Sequence, residues 1–370
     1  MTQDIHKIIE FDNNFCKYIR KNQLDEPYIF VFPSNLHQTQ IFLNKKTLLL
    51  ENPGFTYDKN IDFVNLKNEL EKIKRNHSKI NFKNKKLSDI YFYKIKEIEL
   101  TINLLKSLGT SEFTKFSKEL YGVPSKISTA ISILIILINK YFQNSRKTKL
   151  LSRKEVIALF ESEISNNNFG NWEIIFSKKL LSHAIISKNK RTITIKSKES
   201  YTRDEIYNLI QHELFVHATR YINGSESLKI FGLGLPFYEE FEEGLATFAE
   251  FSRHRHISTI LDAAIKTLAV RFALKHSFIE TYVKLNKLLN DSEKSLNYTI
   301  RVKRGTDGTR GAYTKDHVYF SGLLKLILTQ PKLLLNKNKY KQFLLFKNGF
   351  MHLKEYDAIL AIYLKFKNLN

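Results

Sequence analysis

His212-Glu213-Leu214-Phe215-Val216-His217 puts two imidazoles and a carboxylate within six residues, and Glu243 follows 26 residues after the second histidine. Histidine and glutamate are ordinary zinc ligands, and a glutamate beside the first of two helical histidines is the mark of a zinc hydrolase. The usual motif separates that glutamate from the second histidine by two residues. Here three residues intervene. On an α-helix an i,i+5 pair lies about 140° apart and cannot share one metal, whereas an i,i+4 pair lies about 40° apart. A π-turn returns positions five apart to one face, and such bulges are frequent at functional sites. The spacing therefore predicts a π-bulge, or an equivalent widening, across Leu214–Val216.

The helix that must carry this motif has a start signal. Thr202-Arg203-Asp204-Glu205 reads as a capping box, and Ile206, Leu209 and Ile210 continue it with an apolar stripe at helical spacing. Arg220 falls near its end, where a cation suits the helix dipole. A second helix is expected over Tyr238–Glu250, acidic in a chain of net charge +22. Glu239 and Glu240 fit a solvated face or a salt-bridge partner. Glu243 differs because Gly244, Ala246 and Ala249 surround it with small residues, which would let two helices approach closely enough to share a metal. By themselves, His212 and His217 could also be two of eleven histidines on an amphipathic helix.

The pairing of HExxxH with Glu242-Glu243-Gly244-Leu245-Ala246 resembles the microtubule-associated tyrosine carboxypeptidase family and its bacterial QEGLA-motif relatives. Three further blocks carry the likeness: Asn52-Pro53-Gly54-Phe55-Thr56-Tyr57, then Gly109-Thr110 through Phe113, Ser117 and Tyr121-Gly122, and Thr314-Lys315-Asp316-His317-Val318-Tyr319. Together they span about residues 30 to 330. The resemblance implies His212, His217 and Glu243 as ligands of one Zn²⁺ per chain, with Glu213 as catalytic base. The bulk of Leu214 and Phe215 departs from the family's pattern, where smaller residues are common, and could alter the pocket.

Two neutral imidazoles and a carboxylate would leave the zinc site with a formal charge of about +1, which lowers the pKa of a bound water from about 15.7 toward 7. Glu213 would accept that water's proton and return it to the leaving amine. Tyr319 is the candidate donor to the developing oxyanion, although most of the eighteen tyrosines are expected to be packing residues. His254, His256 and His317 read as surface residues or supports rather than ligands. An exopeptidase must also hold a terminal carboxylate, and arginine does so bidentately. Arg301, Arg304, Arg310 and Lys315 lie on a glycine-punctuated basic stretch and are the candidates, unless that stretch is a flexible solvated loop. The alternating segment Arg191–Lys196 reads as a strand. It is either a sheet edge able to take an extended peptide or an ordinary internal strand.

With 370 residues and 43% apolar content the chain is globular, in one large or two intimate domains. The single cysteine, Cys16, excludes an internal disulfide or a multi-cysteine metal site. Six prolines and thirteen glycines argue against a repetitive all-β fold. The expected architecture is α+β and predominantly helical. It comprises a helical N-terminal region over 1–145, with short strands around Tyr28–Phe32, and a peptidase-like region with a small sheet over 150–370, packed together. Polar Asn144–Lys149 would link them. No secretory signal is apparent, and the apolar run Ile127–Ile138 is too short for a bilayer and reads as a buried helix, so a cytoplasmic protein is expected. The 59 basic against 37 acidic residues admit nucleic acid as a partner. No recognised nucleic-acid motif accompanies them, and the same charge would steer an acidic peptide tail. The leading expectation is a zinc carboxypeptidase acting on a protein or peptide with an accessible C-terminus, tyrosine or another aromatic being the candidate residue removed. The alternatives are a zinc endopeptidase or other amidohydrolase, and a non-catalytic basic protein binding nucleic acid or an acidic surface.

Overall fold

A computed structural model describes residues 2–35, 53–58, 60–141, 149–178, 180, 182–254, 258–329 and 356–369. The fold is α+β and predominantly helical, with one two-stranded and one three-stranded sheet. The chain divides into two units, Met1–Ile133 with Ala263–Val318 and Leu134–Asp262 with Tyr319–Asn370. The link expected at Asn144–Lys149 falls, up to residue 148, outside the described residues; residues 263–318 group with the N-terminal segment.

In the first unit, α1 (Thr2–Lys21), α2 (Phe63–Lys79) and α3 (Lys85–Lys106) gather around an aromatic cluster of Phe11, Phe15, His77, Phe82 and Tyr91. Asp62 and Asn84 cap α2 and α3 by accepting backbone N–H groups, which satisfies donors a helix start leaves open. The strands expected around Tyr28–Phe32 do not form. Pro27 instead opens a 3₁₀ turn over Pro27–Ile29, where its fixed φ and missing N–H are tolerated.

The remainder of this unit draws the distant sequence blocks together. Gly305, at φ +83°, donates its N–H to the Tyr57 hydroxyl at 2.8 Å, and its carbonyl accepts from Gly109 N–H at 2.9 Å. A Cβ at Gly305 would collide with the Phe113 ring, so both the conformation and the contact require glycine. Thr314 and Ser117 exchange two hydrogen bonds, Thr314 N–H to Ser117 Oγ at 2.7 Å and Thr314 Oγ1–H to Ser117 carbonyl at 2.8 Å. The Lys303 ammonium sits among the carbonyls of Ala273, His276, Thr309 and Gly311, all between 2.5 and 3.0 Å away. This stretch is therefore a fixed loop wrapped round a buried cation, not the flexible solvated one. Beside it, Asp316 accepts a forked pair of bonds from Arg301 at 2.7 and 2.9 Å, and Arg304 approaches it at 3.6 Å.

In the second unit, β1 (Leu150–Leu151) pairs with β5 (Tyr201–Thr202). The three-stranded sheet has order β2 (Glu173–Ser177), β4 (Thr192–Lys196), β3 (Ala184–Ser187), with β2 parallel and β3 antiparallel to β4. The segment Arg191–Lys196 is thus internal. Its ladder is filled on both sides and cannot accept a peptide strand. Alternation puts Ile193 and Ile195 at 0% and 1% exposure, facing a core that includes Phe160, Trp172, Ile206, Ile210 and Leu214. That core is what anchors the motif-bearing helix to the sheet.

A close helix crossing completes the unit. Gly244, on the helix Glu239–His254, meets Gly322 on the helix Val318–Thr329, and a Cβ on either would collide with the other helix's backbone. The run Ile127–Ile138 is helical within Lys126–Tyr141, but it is not wholly buried as expected, since Leu134 and Leu137 are exposed. Among the described residues no single helix is long and apolar enough to cross a membrane, though one bent pair, Glu112–Tyr121 with Lys126–Lys140, has the combined length and composition.

Two outcomes follow. Gly322→Ala should destabilise the protein by about 1–3 kcal/mol through overpacking in urea titrations, whereas Gly54→Ala, whose Cβ meets nothing within 4 Å, should be close to neutral. Burial opposes charge on Asp316, but Arg301 and Arg304 outweigh it and hold its carboxyl below the ordinary value. A depressed carboxyl stabilises the fold above its unfolded pKa of about 3.9. That contribution disappears as the pH drops through the folded value. Melting curves should therefore fall more steeply below about pH 4 for the parent than for Asp316→Ala, which should cost about 3–5 kcal/mol at neutral pH.

Candidate functional site

Residues Ile210–Ala218 form a π-helix between the α-helices Arg203–Leu209 and Thr219–Gly224. The Thr219 N–H donates to Leu214 carbonyl, a five-residue span, and the Thr219 hydroxyl donates to the same oxygen at 3.0 Å. The widening expected over Leu214–Val216 thus exists and extends further in both directions. Thr202 caps the helix by accepting from Glu205 N–H, but the reciprocal half of the capping box is replaced, because Glu205 takes the Lys198 ammonium instead.

The widened turn brings His212 and His217 to ring centroids 4.9 Å apart. Glu243 arrives from the helix Glu239–His254, its Oε2 lying 3.3 Å from His212 Nε2 and 3.6 Å from His217 Nε2. One donor atom from each of the three lies within 4.8 Å of the others. Neither approach to Glu243 has hydrogen-bond geometry, so Oε2 is buried with no hydrogen-bond partner among the described residues. An acceptor left this way is costly. The donor chemistry, two imidazole nitrogens and one carboxylate oxygen, fits a Zn²⁺ ion. These residues could hold one.

The outer nitrogens of both rings are held by carboxylates. His212 Nδ1 bonds Glu250 Oε1 at 2.6 Å, and His217 Nδ1 bonds Glu242 Oε1. An ionised carboxylate only accepts, which assigns the protons to Nδ1 and leaves each Nε2 lone pair toward Glu243. Burial disfavours charge on His212, but Glu243 and Glu250 outweigh it and raise its proton affinity well above the ordinary range. Burial dominates at His217 and pushes it down to about 4. Glu243, desolvated yet facing both imidazoles, is held well below the usual carboxylate range. The cluster therefore keeps an anionic carboxylate oxygen between two imidazoles.

Glu213 is buried, and burial pushes its carboxyl up despite the two nearby imidazoles. Its carboxylate makes no hydrogen bond among the described residues, which leaves it able to accept a proton. The half-buried Tyr319 ring stacks on His212 at 6.2 Å and 27°. Leu214 and Phe215 pack into the sheet-side core, Phe215 edge-on to Phe169 at 5.5 Å, so their bulk is used there.

The structure thus gathers His212, His217 and Glu243, with Glu213 and Tyr319 in the same unit. The basic candidates belong to the first unit. Arg301 and Arg304 are buried, both engage Asp316, and Arg304 lies over the Phe32 and Tyr313 rings. Lys315 lies over the Tyr28 and Tyr121 rings, while Arg310 is exposed. His317 is buried with its Nε2 bonded to Tyr121 carbonyl at 2.9 Å. The side chain of His254 and all of His256 lie outside the described residues.

Sequence reasoning passed over Glu242, Glu250 and Arg220. Arg220 is 2% exposed and forks onto Glu242, Nε to Oε2 and Nη2 to Oε1, both at 2.7 Å. Spacing held a signal for two of them. Glu250 follows Glu243 by seven residues, and Arg220 follows His217 by three, so each shares a helix face with a candidate ligand. A dipole role had seemed sufficient for Arg220. The structure adds a buried ion pair.

Comparison with known proteins places the chain in a family. A mouse (Mus musculus) protein named putative tyrosine carboxypeptidase MATCAP2 is 25% identical over 238 residues, covering 58% of this chain and 46% of its own length. Rat (Rattus norvegicus) and human (Homo sapiens) proteins, each named microtubule-associated tyrosine carboxypeptidase 1, are 23% and 21% identical, covering 54% of this chain and 45% of their own lengths. The chain therefore spans about half the length of the curated relatives it matches. The model of the microtubule-associated tyrosine carboxypeptidase family matches residues 41–365, nearly the whole sequence, and the chain belongs to that family.

Proposed function

We propose that this chain is a zinc-dependent carboxypeptidase that removes one C-terminal residue, tyrosine or another aromatic, from a protein or peptide tail. The observation that carries this reading is the orphaned Glu243 Oε2 facing two imidazole nitrogens whose far sides are already held by carboxylates. The names of the family relatives support the reaction class.

His212, His217 and Glu243 would hold the ion. When bound, Zn²⁺ supplies Lewis acidity that acidifies a water and polarises the scissile carbonyl. The chain's own groups do the rest. Glu213, buried and biased toward keeping a proton, takes it from the attacking water and delivers it to the departing amine nitrogen. The Tyr319 hydroxyl donates to the oxygen that becomes negative as water adds. Of the basic candidates, Arg301 and Arg304 already have Asp316 as counter-charge, and the exposed Arg310 is the one proposed for the substrate's terminal carboxylate. A net charge of +22 would draw an acidic tail toward the protein. Cytoplasmic action belongs to the same proposal.

The test is mass spectrometry of zinc-loaded protein incubated with acidic peptides ending in Tyr, Phe and other residues. Loss of one C-terminal residue is expected, with the aromatic ends cut fastest, and internal cleavage would contradict the carboxypeptidase reading. Glu213→Gln should retain stoichiometric zinc and lower turnover by about 10²–10⁴-fold. Loss of zinc in that variant would instead make Glu213 a ligand.

A further inference from the structure

The two histidines are held by unlike devices. His212 bonds Glu250, whose side chain is 22% exposed and makes that single hydrogen bond among the described residues. His217 bonds Glu242, and there the arrangement continues inward. Both Glu242 oxygens are engaged by Arg220, whose third arm donates to the Gly232 carbonyl. His217, Glu242 and Arg220 are 7%, 3% and 2% exposed. Arg220 also lies over the Tyr238 ring at 5.6 Å, so its planar guanidinium is fixed on one face as well as along its edge.

We propose that Arg220 is a positioning residue for the metal centre, acting through Glu242 to fix His217 in one tautomer and one orientation. The inference rests on the zinc reading above and extends it to a residue that touches neither ion nor substrate. The physical need is specific to a π-helix. An α-helical turn closes its bonds over four residues, whereas the π-helix closes them over five, a rare geometry frequent at functional sites, and here the second histidine's ring is also held from outside its own helix. Glu242 supplies that constraint from the neighbouring helix.

Glu242 alone would add a further buried negative charge beside Glu243 and Glu213. Arg220 offsets it, and its fork leaves Glu242 Oε1 in one place. Lysine could match the charge but not the two parallel bonds. Glu250, 22% exposed, is paired with no lysine or arginine among the described residues. One helix thereby supplies a ligand, Glu243, and both outer carboxylates, Glu242 and Glu250. The π-helix supplies the two rings, and the α-helix Thr219–Gly224 that follows it supplies the arginine.

The experiment measures zinc affinity by competition with a chromogenic chelator, with visible spectra of the Co²⁺-substituted protein as a second readout. It uses the full chain and its Glu242→Gln, Arg220→Lys, Glu250→Gln and Glu240→Gln variants. Loss of a group that orients a metal-binding histidine typically weakens affinity about 10–100-fold, and that fall is expected for Glu242→Gln. Arg220→Lys should weaken zinc at least several-fold and shift the Co²⁺ bands, although it keeps the charge. Glu240→Gln, whose carboxylate engages Lys325 of the helix Val318–Thr329 and neither histidine, should stay within about twofold of the parent, below the range expected for orienting groups. Melting of each metal-free variant separates lost positioning from lost folding, and Arg220→Lys keeps the test alive if Glu242→Gln does not fold. The proposal is overturned if folded Glu242→Gln or folded Arg220→Lys binds zinc like the parent with an unchanged Co²⁺ spectrum. If the parent itself binds no stoichiometric zinc, the zinc reading fails instead, and the two failures are distinct.

Discussion

Burying a carboxylate oxygen without a hydrogen-bond donor is unfavourable, and in this fold Glu243 Oε2 is buried that way between two imidazole nitrogens. A cation bound there, as proposed, would complete the arrangement, and several separate features of the second unit hold the three donor residues together. The π-helix turns residues five apart onto one face. The sheet-side core grips the opposite face through Leu214, Phe215 and Ile210. Val216 packs with Phe241, Leu245, Ala246 and Ala249, which seats the motif helix directly on the helix carrying Glu243. On the far side of that helix, Gly244 and Gly322 let the segment that brings Tyr319 come close.

The first unit obeys a different logic. Its family-like blocks around Tyr57, Gly109–Tyr121 and Thr314–His317 are far apart in sequence, yet they meet through buried hydrogen bonds at Gly305 and Thr314. Their residue types are explained by packing and hydrogen-bond satisfaction. Lys303 shows the same economy, since one ammonium gathers four carbonyls from two separate stretches of chain. Basic residues that looked like carboxylate binders in the sequence include two, Arg301 and Arg304, whose counter-ion is internal.

How much could be read beforehand follows from the range of the forces involved. The spacing His212 to His217 is a local geometric constraint, and it led directly to a π-helix. The Thr202 cap and the strand at Thr192–Lys196 were legible for the same reason, since caps and alternation are written in a few adjacent residues. Whether that strand lay at an edge depended on β2 and β3 pairing with it, which no local pattern records. The Arg301–Asp316 pair was hidden although the residues are only fifteen apart, because a buried arginine and a ligand-binding arginine have the same spelling. The division at 263–318 was hidden too, being set by contacts across some two hundred residues. The aromatic run Tyr28–Phe32 has strand propensity, but Pro27 starts a 3₁₀ turn there, and a turn is what forms.

X-ray absorption at the zinc edge of the metal-loaded protein tests the central claim most directly. The account predicts one zinc per chain in a nitrogen and oxygen shell, with multiple scattering from two imidazoles at about 2.0–2.1 Å and one of those imidazoles lost in His217→Ala. A shell with a single imidazole, or no stoichiometric zinc, would contradict it, because the π-helix would then be bringing His212 and His217 together for some other reason.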